Sequence, residues 1–89
     1  MDIRVYGVFK KDLKRCIKQG KSKEEIQSVI DILAIPKELD KKYKPHNLEG
    51  NFRGWKECHI SNDWLLIYRY RDNFLELFRT GTHSELFGK

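Results

Sequence analysis

The sequence predicts an α+β domain of order β-α-α-β-β-β, with a mainly antiparallel sheet and two N-terminal helices packed on it. Three observations carry this. Two amphipathic stripes at helical spacing lie before Pro36, three strand-like runs separated by turn sequences follow Gly54, and no repeat or linker interrupts them. In order, Ile3 and Val5 alternate with Arg4 and Tyr6 as a short first strand. Phe9, Leu13, Cys16 and Ile17 then fall at i, i+4, i+7 and i+8, one face of a helix. Its polar face carries Lys10, Lys11, Lys14, Arg15 and Lys18, and Gly20 supplies a stop. Ser22-Lys23-Glu24-Glu25 reads as a capping box ahead of Ile26, Val29, Ile30 and Leu33, a second helix that Pro36 cannot continue. Periodicity is lost from Pro36 to Gly54, which reads as loop. Trp55–Ile60, Trp64–Tyr70 and Phe74–Thr80 are strands, joined by turns at Ser61-Asn62-Asp63 and Arg71-Asp72-Asn73. A short tail, Gly81–Lys89, ends the chain. The middle strand is apolar on both faces until Arg69, as befits a central strand under helices.

Composition narrows the function classes. Eighty-nine residues fit one domain, spanning 1–89, and 39% apolar content is enough for a packed core. No run approaches the ~18 apolar residues of a membrane span. The charged N-terminus has no signal-peptide core, so a soluble, cytoplasmic protein without a membrane partner is expected. Cys16 and Cys58 lie outside any CxxC spacing and read as reduced, buried thiols. Net charge is +5 and unevenly placed. Residues 1–45 hold twelve Lys/Arg against seven acids, whereas residues 46–89 hold six of each and all three histidines. A basic half joined to a histidine-bearing half suggests holding a polyanion and reacting with it. Lysines that merely solvate two helices are the plainer alternative.

His46, His59, Asp63, Arg79 and His83 are the candidate chemical groups. The parity of the meander brings the end of the last strand back beside the Ser61–Asp63 turn, so these groups converge on one rim. Cleavage of RNA by its own 2′-hydroxyl needs a base, an acid and cationic stabilisation of the phosphate. Imidazole serves either proton role at neutral pH, and guanidinium matches phosphate geometry. Such chemistry requires neither metal nor cofactor. Taken singly, each histidine is more often structural, and Arg79 could be a surface ion-pair residue. A zinc site of His46, His59 and His83 is a weaker alternative. Cys58 points away from His59 on a strand and reads as core, while Trp55 and Trp64 read as core or strand-face aromatics.

His46-Asn47-Leu48-Glu49-Gly50, Glu57-Cys58-His59-Ile60, Asp63-Trp64-Leu65-Leu66-Ile67-Tyr68 and Arg79-Thr80-Gly81-Thr82-His83-Ser84-Glu85-Leu86-Phe87 together resemble the YafQ branch of the RelE/ParE toxin superfamily. Phe9-Lys10-Lys11-Asp12-Leu13-Lys14-Arg15 is also similar to that family's first helix. The resemblance implies a RelE-like fold, an active site of His46, His59, Asp63, Arg79, His83 and Phe87, and cleavage of mRNA in the ribosomal A site. It further implies a small DinJ-like antitoxin with an acidic or helical tail over the basic surface, and operator DNA contact only through the antitoxin complex. In this reading His83 is the acid and His46 or His59 the base, with Asp63 orienting an imidazole or raising its basicity. Arg79 would stabilise phosphate charge, Phe87 would stack on a base, and Lys10, Lys11, Lys14, Arg15 and Lys18 would contact ribosomal RNA. Two features depart from the family: Asn62 replaces the frequent proline before the aspartate, and Pro36–Tyr43 is longer than usual. Competing readings are a ParE-like poison of a protein target such as gyrase, or a degenerate, nucleic-acid-binding toxin homologue.

Overall fold

A computed structural model describes residues 1–35, 43 and 45–88. The elements are β1 (Asp2–Val5), α1 (Gly7–Lys18), α2 (Lys23–Leu33), β2 (His46–Asn47), β3 (Lys56–Ser61), β4 (Trp64–Arg71), β5 (Phe74–Gly81) and α3 (His83–Phe87), with a 3-10 turn at Gly50–Phe52. The sheet is ordered β1-β5-β4-β3-β2. β1 runs parallel to β5 and the other neighbours are antiparallel. The α+β prediction therefore holds, with two additions. β2 lies in the stretch read as loop, and α3 in the stretch read as tail. Both are too short to show a period. The Pro36–Tyr43 stretch, including the proposed helix stop, lies outside the described residues apart from Tyr43. No helix among the described residues is long and apolar enough to cross a membrane.

Caps set the helix ends. Gly20 turns left-handed at φ +89° after α1, and Lys21 N–H and Gly20 N–H bond back to Cys16 O (3.1 Å) and Ile17 O (3.0 Å). Ser22 Oγ accepts from Glu25 N–H at 3.3 Å, and donates in turn to Glu24. α3 carries a complete capping box: Thr82 Oγ1 accepts from Glu85 N–H (3.1 Å), and Glu85 Oε1 accepts from Thr82 N–H (2.9 Å). The β4–β5 hairpin turns through Asp72 (φ 54°) and Asn73 (φ 65°), the paired positive values that suit a two-residue turn.

The core has two layers. Phe9 and Cys16 of α1 and Ile26, Val29, Ile30 and Leu33 of α2 pack on Cys58, Ile60, Trp64, Leu66, Tyr68, Leu75 and Leu77. On the opposite face Leu65 and Ile67 meet Leu86 of α3, with half-buried Leu48, Phe52, Trp55, Phe78 and Phe87 around them. β4 is thus apolar on both sides because both sides are covered. The buried face of α1 is rotated from the sequence stripe: Asp12 is buried beside Phe9 and Cys16, while Ile17 is 37% exposed. The cause lies at the sheet edge. β1 ends at Val5, and beyond it Asp12 accepts from Thr80 N–H (3.2 Å) while Arg15 Nη2 donates to Thr80 O (2.9 Å). Two side chains of α1 thereby replace the missing strand partner.

One acid in the sheet is wholly buried. Glu76 accepts from Arg69 Nε (2.6 Å) and Arg4 Nη1 (2.7 Å), with Arg71 Nη2 at 3.5 Å. Burial pushes its carboxyl up, but the bonds from Arg69 and then Arg4 outweigh that and hold it below the usual glutamate range. Glu76→Ala should lower the unfolding free energy by about 3 kcal/mol, because three guanidinium groups lose their counter-charge. Urea unfolding checks this, and a loss below ~1 kcal/mol would mean that water serves the arginines equally well.

Candidate active site

Strand register lays out the site. His46 pairs with Glu57, Glu57 with Ile67, and Ile67 with Arg79, forming one cross-strand row. His59, Leu65 and Gly81 form the next row on that face. Leu65 and Ile67 belong to the layer under α3, so both rows lie opposite α1 and α2. A bulge sets Arg79 in its row: β5 inserts Phe78 between the Tyr68–Leu77 and Ile67–Arg79 pairs. Without it, strict alternation would turn Arg79 toward the helices.

His83 opens α3 and is fixed by Asp63. Asp63 Oδ1 lies 2.7 Å from His83 Nδ1 and accepts His83 N–H at 3.0 Å. These bonds, the backbone one first, hold the Asp63 carboxyl below its usual range. An ionised carboxylate only accepts, so at that distance the Nδ1 of His83 carries a proton and donates it to Asp63. Asp63 reaches His83 with Asn62 preceding it. Asn62 O itself lies 3.2 Å from His59 Nδ1, so that imidazole too is positioned by the turn. The His59 and His83 rings are 5.8 Å apart, and Phe87 lies 6.2 Å from His83.

Glu57 sits between the other imidazoles. Its Oε1 is 3.1 Å from His46 Nε2 and 3.9 Å from His59 Nε2, and the residue is 3% exposed. Glu57, His59 and His83 offer ligand atoms within 4.8 Å of one another, a set able to hold a transition metal after modest closure. Cys58 faces the helix-side core, where burial pushes its thiol up to about 12, far from a nucleophile. Trp64 is core and bonds Thr80 Oγ1 at 2.8 Å. Trp55 stacks on Phe78 at 4.6 Å.

Arg79 shares the row of Glu57 and His46 but is engaged elsewhere. Its Nε donates to Asp12 Oδ2 (2.6 Å) and its Nη2 to Asp12 Oδ1 (3.2 Å), at the α1 edge of the sheet. Arg15 is likewise turned inward, donating to Asp12 (2.8 Å) and pairing through Nε with Glu85 (3.0 Å). Lys10, Lys11, Lys14 and Lys18 remain exposed on α1. The site therefore unites His46, His59, Asp63, His83 and Phe87 around one rim. Arg79 is held at its flank, and the lysines lie on a separate helix.

This fold and sequence have known relatives. The family model for the bacterial toxin of type II toxin–antitoxin systems, YafQ, matches residues 1–88. The chain belongs to the YafQ family. It is 37% identical over 90 residues to the mRNA interferase toxin YafQ of Escherichia coli K12, covering 98% of this chain and 96% of that protein. The crystal structure of YafQ from E. coli BL21(DE3) is similar at TM-score 0.92 and 35% identity, over 98% of both chains. A chain of the E. coli DinJ-YafQ complex is similar at TM-score 0.86 and 37% identity, over 98% of both chains.

Three residues that brace the candidate site go beyond those the sequence reading picks out: Asp12, Glu57 and Glu85. Asp12 was legible as an acid at i+3 from Phe9, inside the buried stripe. Glu57 was legible from period two, since it shares a strand face with His59. Glu85 was legible as the fourth residue of a Thr82-x-x-Glu85 capping box. Burial pushes the Asp12 carboxyl up, but Arg79 and then Arg15 outweigh it, so its pKa is lowered on folding. A lowered folded pKa gives stability that is complete above the unfolded aspartate value near ~3.9 and is lost as pH falls through the folded one. Asp12→Asn should cost about 3 kcal/mol at neutral pH and flatten the loss of stability between about pH 5 and about pH 2. Urea midpoints across that range test the slope. Faster exchange of the Arg79 Nε proton would report the lost anchor.

Proposed function

We propose that the chain is the toxin of a type II toxin–antitoxin pair and a ribosome-dependent endoribonuclease that cuts translated mRNA. The observation that carries this reading is the His83–Asp63 pair at 2.7 Å with the His59 ring 5.8 Å away. The likeness to an mRNA interferase toxin over nearly the full chain supports the same reading. His46 or His59 takes the proton from the 2′-hydroxyl, and the 2′-oxygen bonds to phosphorus. The bond from phosphorus to the 5′-oxygen breaks, and His83 Nε2 delivers a proton to that oxygen. The products are a 2′,3′-cyclic phosphate and a 5′-hydroxyl. Glu57 orients His46 and His59, and Asp63 orients His83.

Arg79 offers its remaining N–H groups to the phosphate while Asp12 fixes its plane. Phe87 stacks on a base. Proton transfer between imidazoles and oxygen needs no metal, so the mechanism is metal-independent. Lys10, Lys11, Lys14 and Lys18 bind ribosomal RNA phosphates, and Arg15 braces the helix that presents them. The relative seen in the DinJ-YafQ complex suggests a DinJ-like antitoxin here, and action on translating ribosomes puts the protein in the cytoplasm.

His83→Ala should lower cleavage of ribosome-bound message by about 10²–10⁴-fold while co-sedimentation with ribosomes persists. Primer extension with and without ribosomes reads this, and full cleavage by the variant would remove His83 from the mechanism. Ribosome affinity should also fall steeply with salt, and Lys11→Glu with Lys14→Glu should weaken binding without slowing the bound reaction. A flat salt response would assign those lysines to solvation alone.

A further inference from the structure

The rows of polar side chains that start at the imidazole rim do not stop at Arg79. Arg69 follows Ile67 by two residues on β4 and shares its face, one step of about 7 Å further along the strand. Arg69, Glu76 and Arg4 pair across β4, β5 and β1 as the next row, and Arg71 lies one step beyond. Glu76 gathers three guanidinium groups but needs fewer. Arg69 and Arg4 already bond its two oxygens at 2.6 and 2.7 Å, while Arg71 stands at 3.5 Å. Two positive charges within the cluster are therefore left without a counter-charge. The carboxylate itself has no exposure, whereas the Arg4 and Arg71 side chains are 41% and 52% exposed. A ligand arriving from solvent meets guanidinium N–H groups and not the acid. Rings hold the guanidinium planes. Arg69 lies over Trp55 at 4.0 Å and donates from Nη2 to Tyr6 Oη at 3.3 Å, and Arg4 lies over Phe74 at 4.0 Å.

We infer that Arg4, Arg69 and Arg71 form a second phosphate-binding site, which grips the message a few nucleotides away from the cut. The inference rests on the nuclease reading, because the strand held at the imidazole rim is the one that continues along this face. Leu65, in the row of His59, and Arg69 are four residues apart on β4, about 13 Å, which a single RNA strand crosses in about four stacked nucleotides or fewer extended ones. Each guanidinium has five N–H donors in a planar fork suited to phosphate, and Glu76 occupies one edge of each. The carboxylate thus fixes the forks without filling them. The half-buried Trp55 and Phe78, stacked at 4.6 Å, add aromatic surface on the same face. Guanidinium and aromatic groups side by side suit a single strand of RNA. An acidic peptide would share only the charge. The lysines of α1 differ on both counts, since they are exposed on a helix and carry no such bracing.

The test uses ribosome complexes programmed with messages in which one linkage at a time, on either side of the cut, is a methylphosphonate, which has no charge. Messages with the same modified sugar and an ordinary phosphate are the control. For wild type, neutralising one particular linkage a few nucleotides from the cut should raise the toxin concentration for half-maximal cutting by about tenfold, the effect of losing one charged hydrogen-bond contact. The rate at saturation should not change. Arg4→Gln with Arg71→Gln should show the tenfold rise on the ordinary message, and neutralising that linkage should add nothing. Arg71→Lys keeps the charge and should stay sensitive. Arg69 remains on Glu76 in every variant, so urea unfolding should stay close to wild type. Arg71→Gln alone breaks only the longest contact and gives the same test if the double variant unfolds. A wild type that cuts but is indifferent to every linkage beyond the cut overturns the inference. Unchanged sensitivity in the variants overturns it too, and assigns the arginines to ribosomal RNA or an acidic partner. A wild type that cuts no unmodified message overturns the nuclease reading itself, and this inference with it.

Discussion

The carboxylate of Asp12 is the constraint on which the remaining architecture depends. Its two oxygens accept four hydrogen bonds, two from Arg79, one from Arg15 and one from the backbone of Thr80. A buried acid with that many donors is stable where an isolated one would not be. Each bond also does a different job. The Thr80 contact docks α1 on an edge that β1 leaves bare, the Arg79 contacts fix a guanidinium beside the imidazole rim, and the Arg15 contact aims a second guanidinium at α3.

That second guanidinium extends the network to the chemistry. Glu85 forms an ion pair with Arg15 Nε at 3.0 Å and accepts from Gln19 Nε2 at 3.0 Å, and its other oxygen closes the capping box with Thr82. The bond from Gln19 and then that from Thr82 hold its carboxyl below the usual range. Gly81 lets the two side chains meet at this junction, since a Cβ there would lie 2.7 Å from Arg15 Nη2 and 2.9 Å from Glu85 Oε1 and both would have to shift. An exposed pair such as Arg15–Glu85 contributes little alone. Here it joins a buried anchor at one end to the capping box of α3 at the other, and His83 is the residue that follows the Thr82 cap.

Legibility from sequence followed physical range. Elements longer than two periods of their own repeat, α1, α2, β3, β4 and β5, were visible because their apolar positions recur. β2 and α3 were not, because two residues and five residues have no period to detect. His59, Asp63 and His83 were placed together correctly by strand parity, which needs only the number of reversals. Arg79 exposed the limit of that reasoning. Parity predicts its end of the strand, but the Phe78 bulge decides its face and the buried acid on α1 decides its partner. The stripe on α1 misled for a related reason. Apolarity marks the default buried face, and at this edge two unpaired backbone groups outweighed the burial of Ile17.

The frame also separates rigidity from exposure. His83 and Asp63 have side chains 48% and 59% exposed, so solvent or substrate can reach them. The helix that carries His83 is nevertheless held by the almost unexposed Asp12, through Arg15 and Glu85, and by the core layer beneath Leu86. A proton-transfer site needs this combination, because an imidazole must be open to substrate and still be held at a fixed angle. α1 presents lysines outward while its inner face leads through Arg15 and Glu85 to α3. The exposed lysines of α1 and the imidazole rim are thus joined by one bonded path through Arg15 and Glu85.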